Sequence, residues 1–349
     1  MLLRRKLFAP VLLAGLTLGV ITACGASEEV HDKATNATGE GTTTYPLTID
    51  NCGVTETFDA APDRVVSLDQ GSTEILLSLG LADRMVGTAS WTDPIRENLA
   101  QANSTVPRLA DNAPGFAAVM DTDPDFVTAS FGRHFKKEGG VAERARFAES
   151  SVPTYLSPTD CDGDISVNAN GGKRTKPFAI DSLYEEITQL AAIFDVPSRG
   201  ETLVNDIKKR IADAQATANG DGRTIAFWFA DTKTPYVGGG MGSVQYMSDL
   251  LGLKNVYADL TDDWPATTWT SVVERNPDIL GLGDLARNRF PGDKLADKEE
   301  FLATDPVTKA MPVVTQKRYI PLHGAEMNPS IRMIDGIEKM SAWLAQNPQ

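Results

Sequence analysis

The chain has 349 residues, with 33 lysines and arginines against 47 aspartates and glutamates, for a formal net charge of −14. Such a polyanion is repelled by the phosphates that a nucleic-acid binder must neutralise, which excludes DNA and RNA as partners. Only three histidines and three cysteines are present, with no C-x-x-C or H-E-x-x-H spacing, so a zinc or transition-metal centre of the protein's own is not expected.

In chain order, Arg4, Arg5 and Lys6 precede an apolar run from Leu7 to Ala23, the pattern of a secretory signal peptide over residues 1–23. Ile21-Thr22-Ala23-Cys24-Gly25 resembles a bacterial lipobox, which implies cleavage before Cys24 and a lipid on that residue. A plain secretory signal and an uncleaved anchor are the alternatives, and all three export the chain. Losing the three basic residues leaves the mature protein at about −17. Residues 24–44 contain no aromatic residue and only Val30 as a branched aliphatic. They cannot bury enough apolar surface to offset their ordering entropy and are expected to form a mobile tether.

The folded part is expected from Tyr45, with about 300 residues, enough for two lobes with separate cores. Residues 45–180 supply the strand candidates RVVSL, MVGTA, DFVTAS and VPTYLS between helical stretches. After the first of them a short helix over Ser72–Leu79 carries one charge, Glu74. An acid near a helix N-terminus gains roughly 0.3–1 kcal/mol from the dipole, and that is the plain reading of Glu74. With Cys24 lipidated, Cys52 and Cys161 are left to pair in an oxidising compartment; two separate thiols are the alternative.

Residues 181–221 read as connecting helices. Asp181 is placed to cap the first. Ser198-Arg199-Gly200-Glu201 has capping-box form at the start of the second. Leu203, Val204, Ile207, Ile211 and Ala214 give the second an apolar face at helical spacing. It is expected to be a stiff spine of roughly 30 Å. Residues 222–349 repeat the earlier rhythm with TIAFWFA, NVYAD, DILGLG and RYIPLHG. VMDTDPDFVTAS and VVERNPDILGLGD share one plan, an apolar helix end, Pro-Asp and a buried strand. The fold class that follows is α/β, with two lobes of mostly parallel sheets joined by a long interlobe helix.

No G-x-S-x-G elbow or Walker loop is present, and no nucleophile–base pair can be assembled, so no catalytic residue is assigned and an enzyme is not expected. Aromatic and basic residues do cluster just after strand candidates or at loop-to-helix junctions: Trp91, Phe131, Arg133, Tyr155, Phe229, Tyr236, Trp264, Trp269, Arg287 and Arg289. Ligands of open α/β sheets bind beyond the carboxyl ends of the strands. Trp91, Arg133, Tyr155, Tyr236, Trp269, Arg287 and His323 are therefore the candidates for a cleft suited to a large, ring-rich ligand.

RVVSLDQGSTEILLSLGLADRMVGTASW, the two Pro-Asp strands and the central helix resemble the ABC-importer substrate-binding proteins for ferric siderophores, haem and cobalamin, over roughly Arg64–Trp343. The resemblance implies two Rossmann-like lobes, a ligand held between them, and one carboxylate per lobe that docks on arginines of the permease subunits. Glu74 falls at the first such position, and Asp249, in GSVQYMSDLLGLKNV, at the second. The expectation is a lipid-anchored extracytoplasmic protein of a bacterial cell membrane that delivers a ferric siderophore or related iron chelate. Haem or cobalamin is the alternative, and an exported cell-wall hydrolase or a non-transport envelope lipoprotein is more remote. No resident cofactor is expected.

Overall fold

A computed structural model describes residues 39–161 and 174–348. The signal peptide, Cys24 and the tether as far as residue 38 lie outside them. Twelve strands form three sheets among the described residues. β1 (Leu47–Asn51) and β2 (Val54–Phe58) make an antiparallel hairpin. Its two-residue turn places Cys52 and Gly53 at φ 51° and 78°, the left-handed geometry that a tight hairpin needs.

The first large sheet contains β3 (Val65–Ser67), β4 (Met85–Ala89), β5 (Arg108–Ala110), β6 (Phe126–Ala129) and β7 (Thr154–Leu156), in the order β5-β4-β3-β6-β7. All its pairings are parallel. The chain starts in the middle, winds one way and then the other, so a crevice opens between the ends of β3 and β6. The second contains β8 (Thr224–Ala230), β9 (Tyr236–Val237), β10 (Lys254–Asn255), β11 (Ile279–Asp284) and β12 (Tyr319–His323). Its order is β10-β8-β11-β12, with β9 antiparallel to β8. The eight strand candidates read from sequence all yield strands, although NVYAD keeps only Asn255 in β10. The fold class is as read: α/β, two lobes, mostly parallel sheets.

Between the sheets run the helices Asp181–Ile193 and Pro197–Thr217. The second has 21 residues and buries Val204, Ile207, Ile211 and Ala214 on one face, while Leu203 is half-buried. Gly200 lets it approach its neighbour, since a Cβ there would meet Ala191 Cβ at 2.5 Å. Both start signals differ from expectation. Asp181 stands inside its helix behind Ile180, and Pro197, whose ring already holds a helical φ, occupies the first turn where a Ser198 cap was expected. Residues 39–44, expected to belong to the tether, instead pack on the end of the first of these helices. There the Asp195 carboxylate accepts the backbone N–H groups of Gly41, Thr42 and Thr43 at 2.6, 2.9 and 2.8 Å. Cys52 and Cys161 are joined, with Cα atoms 5.1 Å apart, so the hairpin is fastened to the segment after β7. The two-separate-thiols reading is thereby removed.

Candidate functional site: an arginine-lined cavity between the sheets

The carboxyl ends of both sheets face a shared cavity of about 830 Å³, a size that suits a small-molecule ligand. Ser90–Pro94 after β4, Arg108 and Asp111–Ala113 around β5, and Phe131, Arg133 and His134 after β6 form one wall. Phe229 at the end of β8, Ala286–Arg289 after β11, and Asn328 form the other.

Arg108 is paired with Asp111 at 3.1 Å and lies over Trp91, 4.9 Å from the ring centre. Arg133 lies 4.5 Å from the centre of Phe131, and Arg287 lies 5.3 Å from Phe229. Each guanidinium lies within cation–π reach of its ring. Burial lowers the pKa of Arg133, with Asp69 and Asp160 opposing that shift and Arg289 adding to it. Burial likewise lowers Arg287, whose carboxylate support is Asp293. Arg289 and Arg133 add repulsion to that site. Arg287 Nε and Nη2 are buried without a hydrogen-bond acceptor. The cavity thus gathers three cations in mutual repulsion, with donors still unused. Such a wall attracts an anion.

Of the seven sequence candidates, Trp91, Arg133 and Arg287 line this cavity, and Phe131, Phe229 and Arg289 join them. The other four do not. Tyr155 is 1 % exposed in the first core and donates its hydroxyl to Gln189 Oε1 at 2.8 Å. Tyr236 is buried in β9, and Trp269 packs edge-to-face with Trp228 and tilted against Phe301 while its indole N–H donates to Thr232 O. His323 turns toward Asp93 and the Asp284 carbonyl. A residue near a strand end points to the cavity or the core according to strand register, which position in the sequence does not specify. Trp264 is buried too, with its indole N–H on Asn328 Oδ1.

Glu74 departs furthest from expectation. The helix runs Gln70–Ser78 and is capped by Asp69, whose carboxylate accepts the Ser72 N–H at 3.2 Å. Asp69 also accepts the N–H groups of Ser130 and Phe131 at 2.7 and 3.3 Å, tying the ends of β3 and β6 together. Glu74, one turn further in, is neither cap nor surface charge: its exposure is 0 %. Its Oε1 accepts from Arg96 N and Gln70 Nε2, both at 3.2 Å, and its Oε2 lies 3.7 Å from Arg332 Nε, contributed by the second lobe. Burial raises its pKa to about 7, against the attraction of Arg332. An exposed docking carboxylate is therefore not what stands at this position. Asp249, in contrast, is exposed near the end of the helix Ser243–Leu250 and accepts from Gln245 Nε2 at 2.8 Å.

Around Glu74 the segment after β4 is sewn to the second lobe. Thr92 O accepts Ala286 N–H at 3.1 Å, and the Asp93 carboxylate accepts Ala325 N–H at 2.8 Å. Pro94 O accepts from Arg332 at 3.0 Å. Arg96 pairs with Asp335 at 2.8 Å, and Asp335 with Arg210 of the long helix at 2.6 Å. No sequence motif announces this brace, because its partners come from distant parts of the chain.

The sequence pattern of the periplasmic binding protein family matches residues 65–325. The chain belongs to that family. It is 22 % identical over 276 residues, 78 % of this chain and 79 % of the relative, to an uncharacterized ABC transporter substrate-binding lipoprotein, YvrC, of Bacillus subtilis (strain 168). It is also 22 % identical to a vitamin B12-binding protein of Vibrio parahaemolyticus over 62 % of this chain and 70 % of that one. Among solved structures it resembles an ABC-type Fe3+-hydroxamate transport system protein of Saccharomonospora viridis, with a TM-score of 0.69 at 22 % identity, covering 86 % of this chain and 99 % of that one.

Proposed function

We propose that the protein is an exported, lipid-anchored substrate-binding protein that captures a ferric siderophore and hands it to the permease of an ABC importer. The observation that carries this reading is the cavity where Arg133, Arg287 and Arg289 converge beside Trp91, Phe131 and Phe229. A ferric chelate whose donors outweigh the iron's charge is an anion, and this wall suits one. Haem fits the wall less well. Among the described residues His134 is the one histidine on it and no tyrosine lines it. His134 is buried, with its Nε2 turned to within 3.7 Å of Asp69 Oδ2. Cobalamin is the second reading, favoured by what the Vibrio relative is called. Asp249 is the exposed carboxylate we assign to permease docking; Glu74 serves the interlobe brace. Among the described residues no helix is long and apolar enough to cross a membrane; what supports attachment through a lipid on Cys24 is the lipobox-like stretch Ile21–Gly25.

Tryptophan fluorescence of the purified protein, titrated with ferric siderophores, haem and cobalamin, tests this reading. Saturable quenching by a ferric siderophore is expected, and Arg133→Ala should weaken it by roughly ten- to a hundredfold, as removal of a charge-assisted hydrogen bond does. Saturation by cobalamin alone, or by none of the panel, would overturn it.

A further inference from the structure

Two of the four arginines that line the cavity, Arg287 and Arg289, stand on one short loop, and the structure shows what holds that loop. Asp293 is 1 % exposed. Its Oδ2 accepts the backbone N–H of Arg289 at 2.7 Å and of Phe290 at 3.0 Å, and lies 3.5 Å from Arg287 Nε. Its own N–H donates to Phe290 O at 3.1 Å, and its carbonyl accepts Leu285 N–H at 2.9 Å. Beneath it Lys298, fully buried, donates to the carbonyls of Gly292 and Asp293 and sits 5.1 Å from the Trp228 ring centre. Thr232 N–H closes the loop from β8 by donating to Pro291 O at 3.1 Å.

Burying a carboxylate and an ammonium under a surface loop is costly, and simply ending a strand does not require it. What the pair accomplishes is to keep Arg287 and Arg289 close together and facing the cavity despite their repulsion. Arg289 is exposed, and its guanidinium has no hydrogen-bond or ion-pair partner among the described residues. A free loop would let it swing into solvent. We propose that Asp293 is a positioning residue for ligand capture: it fixes the loop 285–294 so that Arg287 and Arg289 together receive the anionic face of the ligand. This rests on the ferric-chelate reading and adds to it the residue that presents the two guanidinium groups to the ligand. Held in place beforehand, the two guanidinium groups lose little freedom on binding, which is where a preorganised site gains affinity.

Asp293→Asn gives opposite signs for the two explanations. Removing a negative charge beside the cavity should strengthen anion binding if only the field matters. Loss of positioning should weaken it. Two defined probes serve: an iron(III) tris-catecholate of charge 3−, and an iron(III) trihydroxamate of charge zero. Fluorescence titration should show at least a tenfold loss for the first and under threefold for the second. Unchanged or tighter tris-catecholate binding overturns the proposal, and so does an equal loss for both probes, which marks general loosening. Amide hydrogen exchange on the wild type gives a second measurement that needs neither variant nor ligand. The Arg289 and Phe290 amides should be protected at least a hundredfold, and exchange at the free rate overturns the proposal. If the wild type binds neither probe, the ferric-chelate reading falls, and amide exchange still decides the role of Asp293.

Discussion

Replacing Glu74 by glutamine should make the protein more stable at alkaline pH and leave it nearly unchanged at acid pH. The buried carboxyl has its pKa raised from an ordinary 4.5 to about 7. Between those values the native state keeps a proton that the unfolded chain has lost, so stability falls as pH rises through that window. A shift of this size corresponds to about 3 kcal/mol, fully lost above pH 8 and regained below pH 4.5. Glutamine imitates the protonated acid in size and hydrogen bonding, and its amide oxygen can still accept from Arg96 N–H. The groups facing it are Gln70 on its own helix, Arg96 on the segment after β4, and Arg332 ahead of the C-terminal helix. Urea unfolding of both proteins between pH 4.5 and 8.5, followed by tryptophan fluorescence, gives the comparison. The difference should move by about 3 kcal/mol in favour of the variant across that range. Glu186, whose pKa burial raises to about 8, tilts both curves equally and drops out. Parallel curves would refute the burial argument. Glu74→Ala is a different perturbation: it leaves the donors Arg96 N–H and Gln70 Nε2 without this acceptor and should destabilise at every pH, by about 1–3 kcal/mol for each buried donor left unsatisfied.

Two further outcomes follow from the same structure. The Cys52–Cys161 bond closes a sequence separation of 109 residues; a Cys52→Ser/Cys161→Ser protein should lose several kcal/mol, on the order of 4–5 in the chain-entropy model, read by urea denaturation. An unchanged midpoint would show that the bond does not constrain the unfolded chain. Asp249→Ala should leave chelate affinity unaltered while uptake in membranes reconstituted with the permease drops more than tenfold, since losing one partner of a desolvated charge pair commonly costs about 2–5 kcal/mol. Uptake at the wild-type level would remove Asp249 from the docking surface.

Most of the strand plan was legible because it rests on local pattern. Branched and aromatic runs such as TIAFWFA and DILGLG become β8 and β11, each buried along nearly its whole length, as parallel strands covered on both faces require. The paired Pro-Asp segments correctly marked equivalent strands in the two lobes. Weak local signals were missed: β5 is three residues, RLA, and β9 only two, held in place by β8. Ser198 has the spacing of a capping box, but the helix is already under way there, with Val196 at the cap and Pro197 as its first residue.

The site was less legible because side-chain direction depends on groups far away in the chain. Arg133 and Arg287 were found since each follows a strand at its carboxyl end, where the fold opens a crevice in both lobes. Tyr155 satisfied a similar positional rule and failed it physically, its hydroxyl reaching Gln189 in the core. Glu74 shows the limit most sharply. A carboxylate on an otherwise apolar helix has three ways to be tolerated: the helix dipole, solvent, or a buried cation. The first is taken by Asp69, the second is closed by the segment Asp93–Arg96, and the third is met by Arg332. The elements that close the second and supply the third come from either side of the cavity. Trp91 to Pro94 line its wall and are sewn to the second lobe by Thr92, Asp93 and Pro94. The charge that looked local on the sequence is thus part of the contact that sets the two cavity walls facing each other. Removing that side chain altogether, as in Glu74→Ala, bears on lobe alignment before it bears on any partner.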